Sequence, residues 1–194
     1  VIIANHVSFV DALVILAAAT LGGCAATVDR SAPASGNAAA PAQQLPSMKI
    51  PAQSGQRLVL NMQLDPKLAA TDTGWPDFKK EWIDITKEQA SGKGMAFATQ
   101  DGEAKATGEQ GTLVVVRIND YRYVTIAKRV MLGIMSGNAY IDSKVEFRDL
   151  ASGKLLGERT YNTTSSAWGG VFAAVTPKQI YALADEIIGE IKQP

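Results

Sequence analysis

Leu113-Val114-Val115-Val116 is the stretch that most restricts how this chain can fold. In an extended backbone Leu113 and Val115 face one way, and Val114, Val116 and Ile118 face the other. A strand apolar on both faces belongs inside a sheet, covered from two sides. The run continues to Tyr123, and Asn119-Asp120 interrupts its alternation where a bulge or bend is expected.

The neighbours of this strand are legible in the same way. Leu58, Leu60, Met62 and Leu64 alternate with Val59, Asn61 and Gln63, the pattern of a strand with one buried face. Met95 to Thr99 reads as a short further strand, with a turn at Gln100-Asp101-Gly102. Ile141, Ser143, Val145 and Phe147 alternate with Asp142, Lys144, Glu146 and Arg148, as in a half-exposed antiparallel strand. Ala151-Ser152-Gly153 turns the chain, and Leu155 to Asn162 runs back as the hairpin partner.

Two helices complete the set. Phe78, Trp82 and Ile85 form one apolar stripe behind Pro76, and Gly92 and Gly94 end it. Near the C-terminus, Thr176 is placed to N-cap, Pro177 sits at the first helical position, and Gln179 completes a capping box. Ile180, Leu183, Ala184, Ile187, Ile188 and Ile191 then keep helical spacing. The expected fold class is α+β: a mostly antiparallel sheet with two main helices packed on one face, over residues 57–194. That is about 140 residues, the size of one domain.

Upstream the composition changes. Ala12 to Leu21 is apolar but shorter than the roughly 20 residues needed to span a bilayer, and fits the apolar part of a signal segment over residues 1–23. It ends in Leu21-Gly22-Gly23-Cys24, which holds the only cysteine of the chain. From Cys24 to Gln56 the residues are mostly Ala, Pro, Ser, Gln and Gly, with Pro41, Pro46 and Pro51 favouring extended backbone. Such a stretch reads as a flexible tether with a mean span of roughly 30 Å. The alternative is a segment that packs along the domain, with Met48-Lys49-Ile50 as its apolar cluster, pairing as an edge strand.

Leu21 to Cys24 resembles the lipobox of bacterial lipoproteins. The resemblance implies that the Cys24 thiol carries a diacylglyceryl group, that cleavage falls just before it, and that the new amino group is acylated. Ala25, rather than Asp, implies sorting to the outer membrane, facing the periplasm. Farther along, Gly133 to Gly137, Asp149-Leu150-Ala151-Ser152-Gly153-Lys154-Leu155-Leu156 and Thr176 to Lys192 resemble a family of lipoprotein-associated domains of unknown function. That resemblance covers roughly the last 90 residues and brings no active site with it.

Residues 1–11 carry no Lys or Arg, and support a rival reading. Asn5-His6-x-Ser8-x-x-Asp11 resembles the motif of the lysophosphatidic-acid acyltransferase family. There the equivalent of His6 is the general base and that of Asp11 orients it. The family's later phosphate-binding block is not reproduced by Gly108 to Thr112 or by Gly157 to Thr160.

Other chemistry is poorly supported. A formal net charge of zero argues against a nucleic-acid partner. The single His, at position 6, leaves no imidazole for a metal site or triad in the folded part. No phosphate-binding Gly loop and no nucleophile elbow occur, so no metal and no cofactor is expected. Asp101 with Glu103, and Glu146 with Asp149, read as solvated surface. Two apolar, Gly-containing stretches remain, Val124 to Asn138 and Ser165 to Val175. They read either as connections tucked under the sheet or as a surface for a membrane or another subunit, carried by Lys128, Arg129, Met131, Met135, Trp168 and Phe172. The function expected is that of a non-enzymatic, lipid-anchored envelope protein with a protein partner or self-association. A small-ligand carrier, with a pocket between sheet and helices, is a further alternative.

Overall fold

The computed structural model describes residues 27–31, 48–69, 71–125, 127, 130–131, 139–164 and 176–192. Its strands are β1 (Thr27–Ser31), β2 (Arg57–Leu64), β3 (Ala96–Gln100), β4 (Thr112–Arg122), β5 (Tyr140–Asp149) and β6 (Leu155–Thr164). The helices are α1 (Pro66–Ala69), α2 (Trp75–Gly92) and α3 (Thr176–Ile191). The strands form one sheet in the order β1-β6-β5-β4-β2-β3. Three pairings are antiparallel, and β4-β2 and β2-β3 are parallel. The α+β class, the mostly antiparallel sheet and the two main helices are as expected from the sequence.

The parallel pairs were not legible as such. Parallel neighbours need a crossover connection, and α2 supplies it between β2 and β3. The return from β3 to β4 skips past β2 through residues 101–111. That loop changes the fate of β2, which is buried on both faces rather than one. Val59 packs with Leu113, Val115 and Leu150, and with Ala104 of the loop. Asn61 is fully buried and donates through Nδ2 to the carbonyls of Gln100 (2.8 Å) and Gly102 (3.1 Å). Arg57 pairs with Glu109 of the same loop. Gly111 ends the loop where no side chain fits: a Cβ there would lie 2.9 Å from Leu150 Cδ2 and 3.1 Å from the Arg57 carbonyl oxygen.

On the other face, β2, β4, β5 and β6 meet α2 and α3 in a single apolar core. Phe78 and Trp82 of α2 and Ile180, Leu183 and Ile188 of α3 are fully buried against Leu58, Val114, Val116 and Val145. Gln89 Nε2 donates to the Tyr181 carbonyl (2.8 Å) and Lys93 pairs with Asp185, fastening α2 to α3.

The hairpin signature has a simple physical basis. Asp149 Oδ1 accepts from the Ser152 amide (2.8 Å) and hydroxyl (2.6 Å), and Gly153 takes a positive φ of 75° to complete the turn. Those two hydrogen bonds from Ser152 hold the Asp149 carboxyl below the usual carboxylate range.

Part of the expected tether is built into the domain. Thr27–Ser31 is an edge strand paired antiparallel with β6. Met48 is buried, and a Cβ on Gly157 of β6 would collide with its Sδ. A 3-10 turn over Ala52–Gln56 buries Ser54, whose carbonyl accepts from Thr112 Oγ1 (3.0 Å). Met48-Lys49-Ile50 packs without joining the sheet. A composition poor in large apolar residues concealed this, because one methionine in a glycine notch and one five-residue ladder do the fastening.

Two outcomes are expected. Burying Ile180, Leu183, Ile187, Ile188 and Ile191 contributes roughly 1.5–3 kcal/mol each, against a total of about 5–15 kcal/mol for a domain. A chain ending before Thr176 therefore loses its cooperative melting transition, read by circular dichroism. Gly111→Ala is expected to cost about 1–3 kcal/mol, seen as a lower denaturation midpoint in urea with an unchanged slope. A variant as stable as the parent would show that the Arg57 backbone yields.

Candidate interaction surface

Three chain segments converge at one end of the sheet. Thr27 lies opposite Thr164, Thr164 opposite Tyr140, and Tyr140 opposite Arg122, so one row crosses β1, β6, β5 and β4. The chain leaves this row after Arg122 and returns at Ala139. It leaves again after Thr164 and returns at Thr176. Both apolar stretches singled out from the sequence therefore begin and end here.

A latch closes this end. The Val124 amide donates to Thr176 Oγ1 (2.8 Å), the Thr176 amide donates to the Val124 carbonyl (3.2 Å), and Gln179 Nε2 donates to the Ala139 carbonyl (3.0 Å). The capping box expected from Thr176 and Gln179 is thus put to another use. Their side chains tie the start of α3 to the residues just past β4 and just before β5, where Val124 and Ala139 are buried away from solvent.

Of the sequence-predicted contact residues, Met131 is exposed at 84%, beside Val130 at 56%. Cys24, Lys128, Arg129, Met135, Trp168 and Phe172 lie outside the described residues, as do Asn5, His6, Ser8 and Asp11 of the rival motif.

Next to the latch, on the helix side, is an aromatic cluster that the sequence showed only as scattered rings. Phe78 lies 4.2 Å from Tyr121 and 5.9 Å from Tyr123 between ring centroids, and Trp75 meets Tyr121 edge-on at 6.3 Å. Burial, and then Asp72, push the Tyr121 phenol above its usual range; burial and Glu81 do the same for Tyr123. The helical spacing of Trp75, Phe78 and Trp82 was a usable signal, but the strand residues that complete the cluster lie some forty positions later.

The opposite face of the sheet is polar and banded. Asp120 and Asp142 lie directly opposite each other at the β4 bulge, in a row that continues to Asn162 and Asp29. Like charges in facing positions oppose each other. Two neighbours soften this: Tyr140 donates to Asp120 (3.2 Å) and Asn119 to Asp142 (3.4 Å). Burial, and then the Asp120 charge, still raise the Asp142 carboxyl above its usual value against the Asn119 hydrogen bond. The next outward-facing row carries Arg117 and Lys144, and the one after it Glu146 and Glu158. Lys144 pairs with Glu158 (3.0 Å) and Arg148 with Glu146 (2.6 Å). Glu146 and Asp149, read as a solvated pair, have separate partners. Asp101 pairs with Lys79. Among the described residues no three His, Cys, Asp or Glu side chains group to hold a metal ion, and no helix is long and apolar enough to cross a membrane.

The outer strands of the sheet are β1 and β3. The outer side of β3 makes no backbone hydrogen bonds among the described residues, and its sequence Ala96-Phe-Ala-Thr-Gln100 holds no charge and no proline. Natural edge strands are usually protected by such residues.

A protein family described as Domain of unknown function (DUF4410) matches residues 88–169, the stretch from the last turn of α2 through β6. No curated protein matches the chain by sequence. Among solved structures, the PelC dodecamer from Paraburkholderia phytofirmans is similar in fold: TM-score 0.52, with 15% identity over 87% of this chain and 99% of that one. A variant of the same dodecamer matches with TM-score 0.52 and 14% identity, again over 87% and 99% of the two chains.

The Asp142 shift gives a pH-dependent expectation. A carboxyl whose folded pKa is raised loses stability as pH rises from the unfolded value, near 3.8, through the folded one. Asp142→Asn is therefore expected to raise the melting temperature at neutral pH, with the gain vanishing in acid below that value. A gain that persists in acid would point to packing instead of charge.

Proposed function

We propose that this chain is a non-enzymatic envelope lipoprotein, anchored through acylated Cys24 in the outer membrane and facing the periplasm, whose domain assembles with copies of itself. The observation that carries the assembly reading is the PelC likeness. The matching fold spans almost the whole of a chain solved as a dodecamer. The edges of the sheet fit this reading. β1 and β3 lie at opposite sides of one protomer, so an edge of one copy meeting the other edge of the next makes a head-to-tail contact. Such contacts repeat and close into a ring when the rotation permits. Support for the anchor comes from Leu21-Gly22-Gly23-Cys24 at the end of an apolar run.

Two measurements test the two halves separately. Cys24→Ala is expected to move the protein from the membrane fraction to the soluble fraction; unchanged fractionation would count against the anchor. Light scattering on the detergent-extracted chain is expected to give the mass of a closed oligomer, and Ala98→Lys on β3 to reduce it to a monomer. A monomeric parent would end the assembly reading.

A further inference from the structure

We propose that the domain stands end-on against the bilayer, with the sheet end marked by Arg122 and Tyr140 facing the lipid head groups. The inference rests on the lipid-anchor reading of Cys24 and departs from the picture of a domain on a long leash. Only Ala25 and Ala26 separate Cys24 from Thr27. Three residues reach about 10 Å when fully extended. Thr27 is paired opposite Thr164, in the row that crosses the sheet to Tyr140 and Arg122. Acyl chains at Cys24 must lie in hydrocarbon, so Thr27, where this row begins, is held within about 10 Å of the attachment point. A coil of thirty residues would instead leave roughly 30 Å of slack.

The chemistry of this end suits lipid. Met131 and Val130, two of the four large apolar side chains that stand exposed among the described residues, lie in the segment that starts and finishes here. Arg122 is exposed in the end row, beside the half-buried Tyr140. Apolar side chains with a tyrosine and a cation are what the head-group layer accepts. The acidic pair Asp120 and Asp142 sits two positions further along the strands, about 7 Å back. The other end of the sheet carries the Asp149–Lys154 turn and the 101–111 loop with Asp101, Glu103, Lys105 and Glu109, a charged surface with Leu155 beside it.

Lipidation consumes the one cysteine, so a single new thiol can be labelled without background. The test uses the full acylated chain in phosphatidylethanolamine/phosphatidylglycerol vesicles. Met131→Cys or Leu155→Cys carries an environment-sensitive fluorophore, and the lipids carry a quencher at head-group depth. Flotation with the vesicles is measured first. The expected result is loss of most of the fluorescence at Met131→Cys and little loss at Leu155→Cys. Inserting about twenty Gly/Ser residues between Ala25 and Ala26, a slack of roughly 25 Å, should keep flotation and bring quenching at Met131→Cys down to the Leu155→Cys level. Equal quenching at both sites in protein that floats overturns the end-on arrangement and leaves the anchor standing. Failure to float overturns the anchor and the arrangement together. An insertion without effect on quenching overturns the short link as the cause.

Discussion

Val114, Val116 and Ile118 are sealed beneath the helices, while Leu113 and Val115 are sealed beneath the 101–111 loop. Both seals are required, because each such side chain is worth roughly 1.5–3 kcal/mol when removed from water, and a domain's whole stability is about 5–15 kcal/mol. The rest of the architecture serves this strand. α2 and α3 are joined to each other by Gln89 and Lys93 so that they form one lid. The 101–111 segment is kept down by Asn61, by Arg57 with Glu109, and by a glycine at its exit that lets it pass close to the Arg57 backbone.

Much of this was readable in the residues, for reasons that differ by element. β4, the hairpin and both helices carry strong local periodicity. Their limits fell within a residue or two of expectation, and the bulge appeared at Asn119-Asp120. What escaped depended on distant partners. β2 looked half-exposed because nothing local announces that residues 101–111 will cross its second face. Thr176 and Gln179 looked like a helix cap, yet bond to Val124 just past β4 and to Ala139 just before β5. β1 looked like spacer because five residues without apolar alternation contribute through backbone pairing, which leaves little trace in composition. Of the contact residues named from sequence, Met131 is described and exposed, and the convergence of both apolar stretches at one end could be seen only from strand register.

Electrostatics arranges the polar face in rows. The facing Asp120 and Asp142 sit beside the row of Arg117 and Lys144, and each carboxylate has a hydrogen-bond donor nearby. The ladder tolerates this opposition because the bulge loosens the pairing and water reaches the face. The one ion pair buried on the helix side, Arg159 with Glu190 at 3.1 Å among the described residues, lies instead between β6 and the end of α3. There the desolvation of each charge is offset in part by the other.

β6 is gripped twice by the same N-terminal segment. Ser31 lies opposite Thr160, and Met48 fills the notch at Gly157, three positions along. Ser31 and Met48 therefore stand at nearly one place on β6. A protease cutting between them would sever the covalent path between everything upstream of Thr27 and the domain, yet free neither. The fragments would stay zipped by the five residues of β1, and shedding of the domain would be timed by the fraying of that ladder instead of by the cut.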